Sequence, residues 1–130
     1  MISVDVENRS GAEVDEPGAV ELAGRVLRAE GIEEGELGIA FVGKDEMRGL
    51  KRDHLGIDEP TDVLSFPIDG TDPVVVGPRE LGDVVICREH TTDVTEAVVH
   101  GVLHLCGHDH ESDDGEMLAL QDHIVAGLKR

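Results

Sequence analysis

The sequence predicts an α+β fold: a single small domain in which a mixed β-sheet is packed by helices. Three observations carry that reading. Segments that alternate apolar and polar residues, the period of a half-buried strand, are interleaved with segments of helical period. The chain has 130 residues, enough for one domain and too few for two ordinary ones, so residues 1–130 are read as one unit. Hydrophobic residues make up 39% and aromatic ones only 2%, with no Trp and no Tyr, so the core must be built from Val, Leu, Ile and Ala.

The elements follow in order. Ile2, Val4 and Val6 alternate with Ser3, Asp5 and Glu7 and predict a first strand, which the run Asn8 to Gly11 breaks. Pro17 opens a helix carrying Val20, Leu22, Ala23, Val26 and Leu27, and Gly31 closes it. Leu37, Ile39 and Phe41 alternate again, and Lys44 to Leu55 reads as a short helix. Thr61 to Phe66 is a β-branched and apolar strand stopped by Pro67. Asp69 to Glu80, with Gly70, Pro73, Gly77 and Pro78, is a loop with room for a short edge strand at Val74 to Val76. Leu81 to Cys87 is the next strand, Val94 to Cys106 the next helix, and Glu116 to Leu128 the last. No run of 18 apolar residues marks a membrane span, and MISVDVENRS lacks the regions of a signal peptide. Two cysteines make no disulfide framework.

Chemistry concentrates between His100 and His110. His100 and His104 stand four apart on a predicted helix and stack on one face. Imidazoles so placed hold one Zn²⁺ at about 2.0–2.1 Å per bond. Gly107 ends the helix in a left-handed conformation, and the turn brings His110 round as a third ligand. The pattern H-x3-H-x2-G-x2-H has the ligand spacing of long-motif zinc peptidases, so the fold class includes a metzincin-like zinc helix. Gly101, however, stands where those enzymes carry a Glu base. Three ligands with an open fourth position describe a catalytic site rather than a structural one. A lone histidine is more often a surface or core residue; three in this register with a turn glycine favour metal binding. His108 is a spare candidate that the tight turn aims elsewhere. Cys87 and Cys106 are read as small buried apolar residues. Asp109 and Glu111 either support a ligand imidazole or are solvated.

The segment His100 to His110 resembles the zinc motif of the YbeY endoribonucleases. Thr61-Asp62-Val63-Leu64-Ser65-Phe66-Pro67 resembles that family's TDVLSFP strand, and Leu81-Gly82-Asp83-Val84-Val85-Ile86 its LGDIVI strand, so the resemblance covers essentially the whole chain. It implies single-strand-specific endoribonuclease activity, a role in processing the 3′ end of 16S ribosomal RNA and in ribosome biogenesis, a cytoplasmic location, and one Zn²⁺ held by His100, His104 and His110. Single-stranded RNA, and through it ribosomal subunits or ribosome-associated proteins, would be the partners, with neither membrane nor DNA among them. The chain departs from the family in three places. Lys51, His54 and Leu55 fall where the family has Asn, Tyr and a phosphate-serving Arg; His108 replaces a Tyr; and the stretch from Cys87 to Val99 is shorter by about a dozen residues.

The missing Arg directs attention to the cations. Four of the 11 lie between Lys44 and Arg52, and Lys44, Arg48 and Arg52 have the i, i+4, i+8 spacing of one helix face. Arg52, Lys51 and Arg48 are therefore the candidate phosphate contacts, against the plainer reading of a solvated face paired with Asp45, Glu46 and Asp53. Asp62 and Ser65 are read as strand-end hydrogen-bonding residues. A zinc peptidase and a non-catalytic zinc-binding assembly factor are the alternatives; Gly101 speaks against the first and Leu55 favours the second. The net charge of −18 disfavours nucleic acid as a whole-molecule average. A locally positive cleft overrides that average, and the acidity suits a salt-rich cytoplasm, where a Debye length of about 3 Å at 1 M screens the rest.

Overall fold

The computed structural model describes residues 2–56, 63–68, 80–91, 93–107 and 115–128. Thr61, Asp62, the Val74 to Val76 segment, and His108, Asp109, His110 and Glu111 lie outside the described residues. Along the described residues run β1 (Ile2–Asn8), α1 (Glu16–Ala29), β2 (Gly35–Val42), α2 (Lys44–Leu55), β3 (Val63–Pro67), β4 (Glu80–Cys87), α3 (Val94–Leu105) and α4 (Glu116–Leu128), with a 3₁₀ turn at Arg88–His90.

Local chemistry accounts for the ends of these elements. Asn8 Oδ1 accepts from the Ser10 backbone N–H at 3.0 Å and bends the chain out of β1, and Gly11 follows at φ +77°. Asp15 caps α1, its Oδ1 accepting from the Gly18 N–H at 3.0 Å, with Pro17 in the first turn where its missing donor costs nothing. Gly31, at φ +76°, takes the chain out of α1 while the Ile32 N–H reaches back to the Leu27 carbonyl at 2.9 Å.

The strands form one sheet in the order β1-β2-β4-β3. β1, β2 and β4 are parallel and β3 runs antiparallel along β4, so the sheet is mixed, as the sequence predicts. Between Glu36 and Leu37 the β2–β4 register shifts, Glu36 facing Glu80 and Leu37 facing Gly82, which makes Leu81 the extra residue of a bulge.

Strand alternation gives the sheet two unlike faces. Leu37, Ile39, Phe41, Val84 and Ile86 point into a core shared with Ala23, Val26 and Leu27 of α1, Val98, Val102 and Leu103 of α3, and Met117 and Val125 of α4. As the composition requires, this core is aliphatic, with Phe41 its one aromatic among the described residues. The opposite face carries a smaller cluster, Val42, Met47, Val85 and Cys87, beneath α2, with Leu64 and Phe66 packed against it. The passage from β4 to α3 is short: the 3₁₀ turn, then Thr91, whose buried hydroxyl donates to the Cys87 carbonyl at 2.6 Å.

Candidate metal centre

The helix bearing the histidines is positioned from both ends. Asp93 caps α3, its Oδ1 accepting from the Glu96 N–H at 3.1 Å. Gly107, at φ +98°, ends it, its N–H donating to the His104 carbonyl at 3.0 Å. The predicted left-handed exit is therefore present. Between these ends α3 is pressed against the sheet at Gly101. A Cβ there would collide with Val84 Cγ1 and stand 3.2 Å from Val84 Cγ2 and 3.3 Å from Val63 Cγ2. Ser65 on β3 donates its hydroxyl to the Gly101 carbonyl at 3.0 Å and fastens the helix to the edge strand. Position 101 thus faces β3 and β4, and a peptidase Glu has no room there.

His100 and His104 are half-buried on the adjoining face of α3. Their rings lie edge to face, 4.8 Å between centroids at 74°, side by side as the i, i+4 spacing demands. His100 Nδ1 lies 2.7 Å from Oε1 of Gln121 on α4. Gln121 is a site residue that the sequence marks only by spacing: Met117, Gln121 and Val125 stand four apart on one face of α4, and all three are buried, Gln121 to 4% exposure. An amide in a core position costs about 1–3 kcal/mol if left without a partner. Among the described residues no buried side-chain nitrogen or oxygen is left without one.

Two imidazoles on successive turns, one steadied through its inner nitrogen, form a donor set suited to zinc. No group of three His, Cys, Asp or Glu converges among the described residues, and His110, the third ligand expected from sequence, lies outside them. A cavity of about 440 Å³ opens beside His100, bounded by Val63, His90, Glu96 and Gln121. Cys106 is buried at the end of α3, where burial, with a smaller push from the Glu30 carboxylate, raises its thiol to about 12. Cys87 is buried under α2.

The candidate phosphate contacts are elsewhere. α2 packs on the sheet face opposite α3, so the structure does not bring Arg48, Lys51 or Arg52 to the imidazole pair among the described residues. Arg52 Nε lies 3.3 Å from Asp53 Oδ1, both exposed, while Arg9, exposed at the end of β1, grips Glu46 on the same helix. His54 lies edge-on to Phe66 at 5.0 Å, on the α2 side of β3. No helix among the described residues is long and apolar enough to cross a membrane.

Comparison with known proteins bears on this arrangement. The family model described as Endoribonuclease YbeY matches residues 5–129. An Endoribonuclease YbeY of Streptomyces griseus is 38% identical over 150 residues, covering 98% of this chain and 91% of that protein. The one of Chloroflexus aurantiacus is 37% identical over 133 residues, covering 89% and 86%. The 150-residue match exceeds this chain's own length, so the Streptomyces protein has residues that this chain lacks. Among solved structures, the solution structure of TM1509 from Thermotoga maritima superposes with a TM-score of 0.54 at 26% identity, covering 94% of this chain and 86% of that one. On the length of the family match and the identity to its curated members, the chain belongs to the Endoribonuclease YbeY family.

Proposed function

We propose that the chain is a zinc-dependent, single-strand-specific endoribonuclease that matures the 3′ end of 16S ribosomal RNA in the cytoplasm, in association with ribosomal subunits. Hydrolysis of RNA phosphodiester bonds and a place in ribosomal RNA maturation follow from family membership. The observation that supports the metal is the imidazole pair, 4.8 Å apart and steadied at His100 Nδ1. His100, His104 and His110 would hold the ion. Bound there, zinc would supply Lewis acidity for phosphodiester cleavage. α3, clamped by Gly101 and Ser65, fixes where the imidazoles stand. Gly101 denies the site the carboxylate base of a zinc peptidase, which favours the nuclease over that alternative. The α2 cations, across the sheet from the imidazole pair, are candidates for phosphates of the flanking strand rather than the scissile one.

The test is cleavage of a single-stranded RNA. It is expected to vanish with chelator and in His104→Ala, and to return to the wild-type chain on adding zinc. Stoichiometric zinc with no cleavage would instead make the chain a non-catalytic assembly factor. Products ending in a 2′,3′-cyclic phosphate identify the ribose 2′-hydroxyl as nucleophile, and 5′-phosphate ends identify water.

A further inference from the structure

We infer that Gln121 is a positioning residue that holds His100 in the tautomer able to bind metal, an inference that rests on the zinc reading above. Oε1 of Gln121 is a carbonyl oxygen and only accepts. The nitrogen 2.7 Å away, His100 Nδ1, therefore carries the ring proton. In a neutral imidazole that leaves Nε2 with the lone pair, and the hydrogen bond at one nitrogen decides which nitrogen can ligate. The opposite amide orientation reverses everything: an NH₂ facing the ring would make Nδ1 the acceptor and put the proton on Nε2.

Packing does not explain this residue. Gln121 occupies the buried face of α4 in register with Met117 and Val125, where an aliphatic side chain would fill the same space. It comes from a different helix than the ligand it steadies and lies 21 residues along the chain. α4 therefore takes part in the site although it supplies none of the three ligands. Its docking against α3 sets one ring of the pair, while the 4.8 Å spacing to His104 is set by α3 itself.

Two measurements test the inference without relying on activity. In the wild-type, metal-free chain, long-range ¹⁵N–¹H NMR of the imidazoles at neutral pH is expected to find the His100 proton on Nδ1. Zinc affinity is then measured by competition with a chromophoric chelator for the wild type, Gln121→Met, Gln121→Asn and Gln121→Glu, with thermal melting to confirm folding. Met removes the acceptor, and Asn is too short to reach; each is expected to weaken zinc binding about 10- to 100-fold. Glu accepts the same hydrogen bond and is expected to bind zinc at least as tightly as the wild type. A proton on His100 Nε2 in the wild type overturns the inference whatever the variants do. So does zinc affinity within twofold of wild type in Gln121→Met or Gln121→Asn. A wild-type chain that takes no zinc sinks the metal reading and this inference together, whereas wild-type zinc binding with unchanged variants sinks this inference alone.

Discussion

The two faces of the sheet are built to different standards. One is closed by α1, α3 and α4 over a continuous aliphatic core, tight enough that Gly101 cannot accept a methyl group without displacing Val84. The other is covered by α2 alone, whose Met47 packs on three buried strand residues, Val42, Val85 and Cys87, and its remainder is a groove of about 620 Å³ edged by Asp5, Glu7, Glu36 and Asp83. The imidazole pair sits with the closed face and the basic helix with the open one. Rigid support is thus given to the residues whose geometry must be accurate to fractions of an ångström, and the open face carries charges that act at longer range.

Four experiments probe that contrast. Gly101→Ala is expected to cost most. Helix propensity alone would favour Ala by about 1 kcal/mol, so a net loss of about 2 kcal/mol in urea unfolding isolates the clash with Val84 and Val63; a gain would show that the helix–sheet seam is loose. The second effect belongs to Cys106. Its thiol, raised from 9.0 to about 12 by burial, keeps a proton that the unfolded chain gives up, so stability is intact below pH 9 and falls as pH rises toward 12. The loss is at most about 1.4 kcal/mol per pH unit, and the alkaline slope should flatten in Cys106→Ala.

Smaller effects are expected on the open face. Arg48→Ala with Arg52→Ala should leave stability within about 0.5 kcal/mol and lower the slope of log affinity for single-stranded RNA against log salt by about 0.7 per lost phosphate contact. An unchanged slope would assign both residues to a solvated face paired with its own carboxylates. Gly38→Ala should do least. The Cβ collides only with the Asp83 carboxylate, an exposed group free to swing into solvent, and stands in ordinary contact with the Asp5 carbonyl; a loss beyond about 0.5 kcal/mol would mean that the open face is more tightly packed than it looks.

Much of this was legible along the chain. Ile2, Val4 and Val6 announce β1 because a strand repeats every two residues, and α3 and α4 begin and end within a residue of their predicted bounds. The His100–His104 pair and the Gly107 exit follow from spacing and glycine stereochemistry, both of which act within one helical turn. What could not be read is of a different kind. The row Lys44, Arg48, Arg52 was visible, but not the face of the sheet it would occupy, since that depends on Met47 finding Val85 and Cys87 nearly 40 residues on. Gln121 showed only as a polar residue at an apolar position until α4 docked on α3.

By itself, then, the sequence determined the element types, the aliphatic nature of the core, the register of His100 and His104 on α3 and the family. The tertiary structure alone decided the strand order β1-β2-β4-β3, the separation of the basic helix from the imidazole pair, the closure of position 101 and the partner of His100. The physical reason is range. Helical and strand periods and glycine conformation are properties of neighbours in the chain, whereas packing complementarity and a hydrogen bond between helices exist only once residues distant in sequence have been brought into contact.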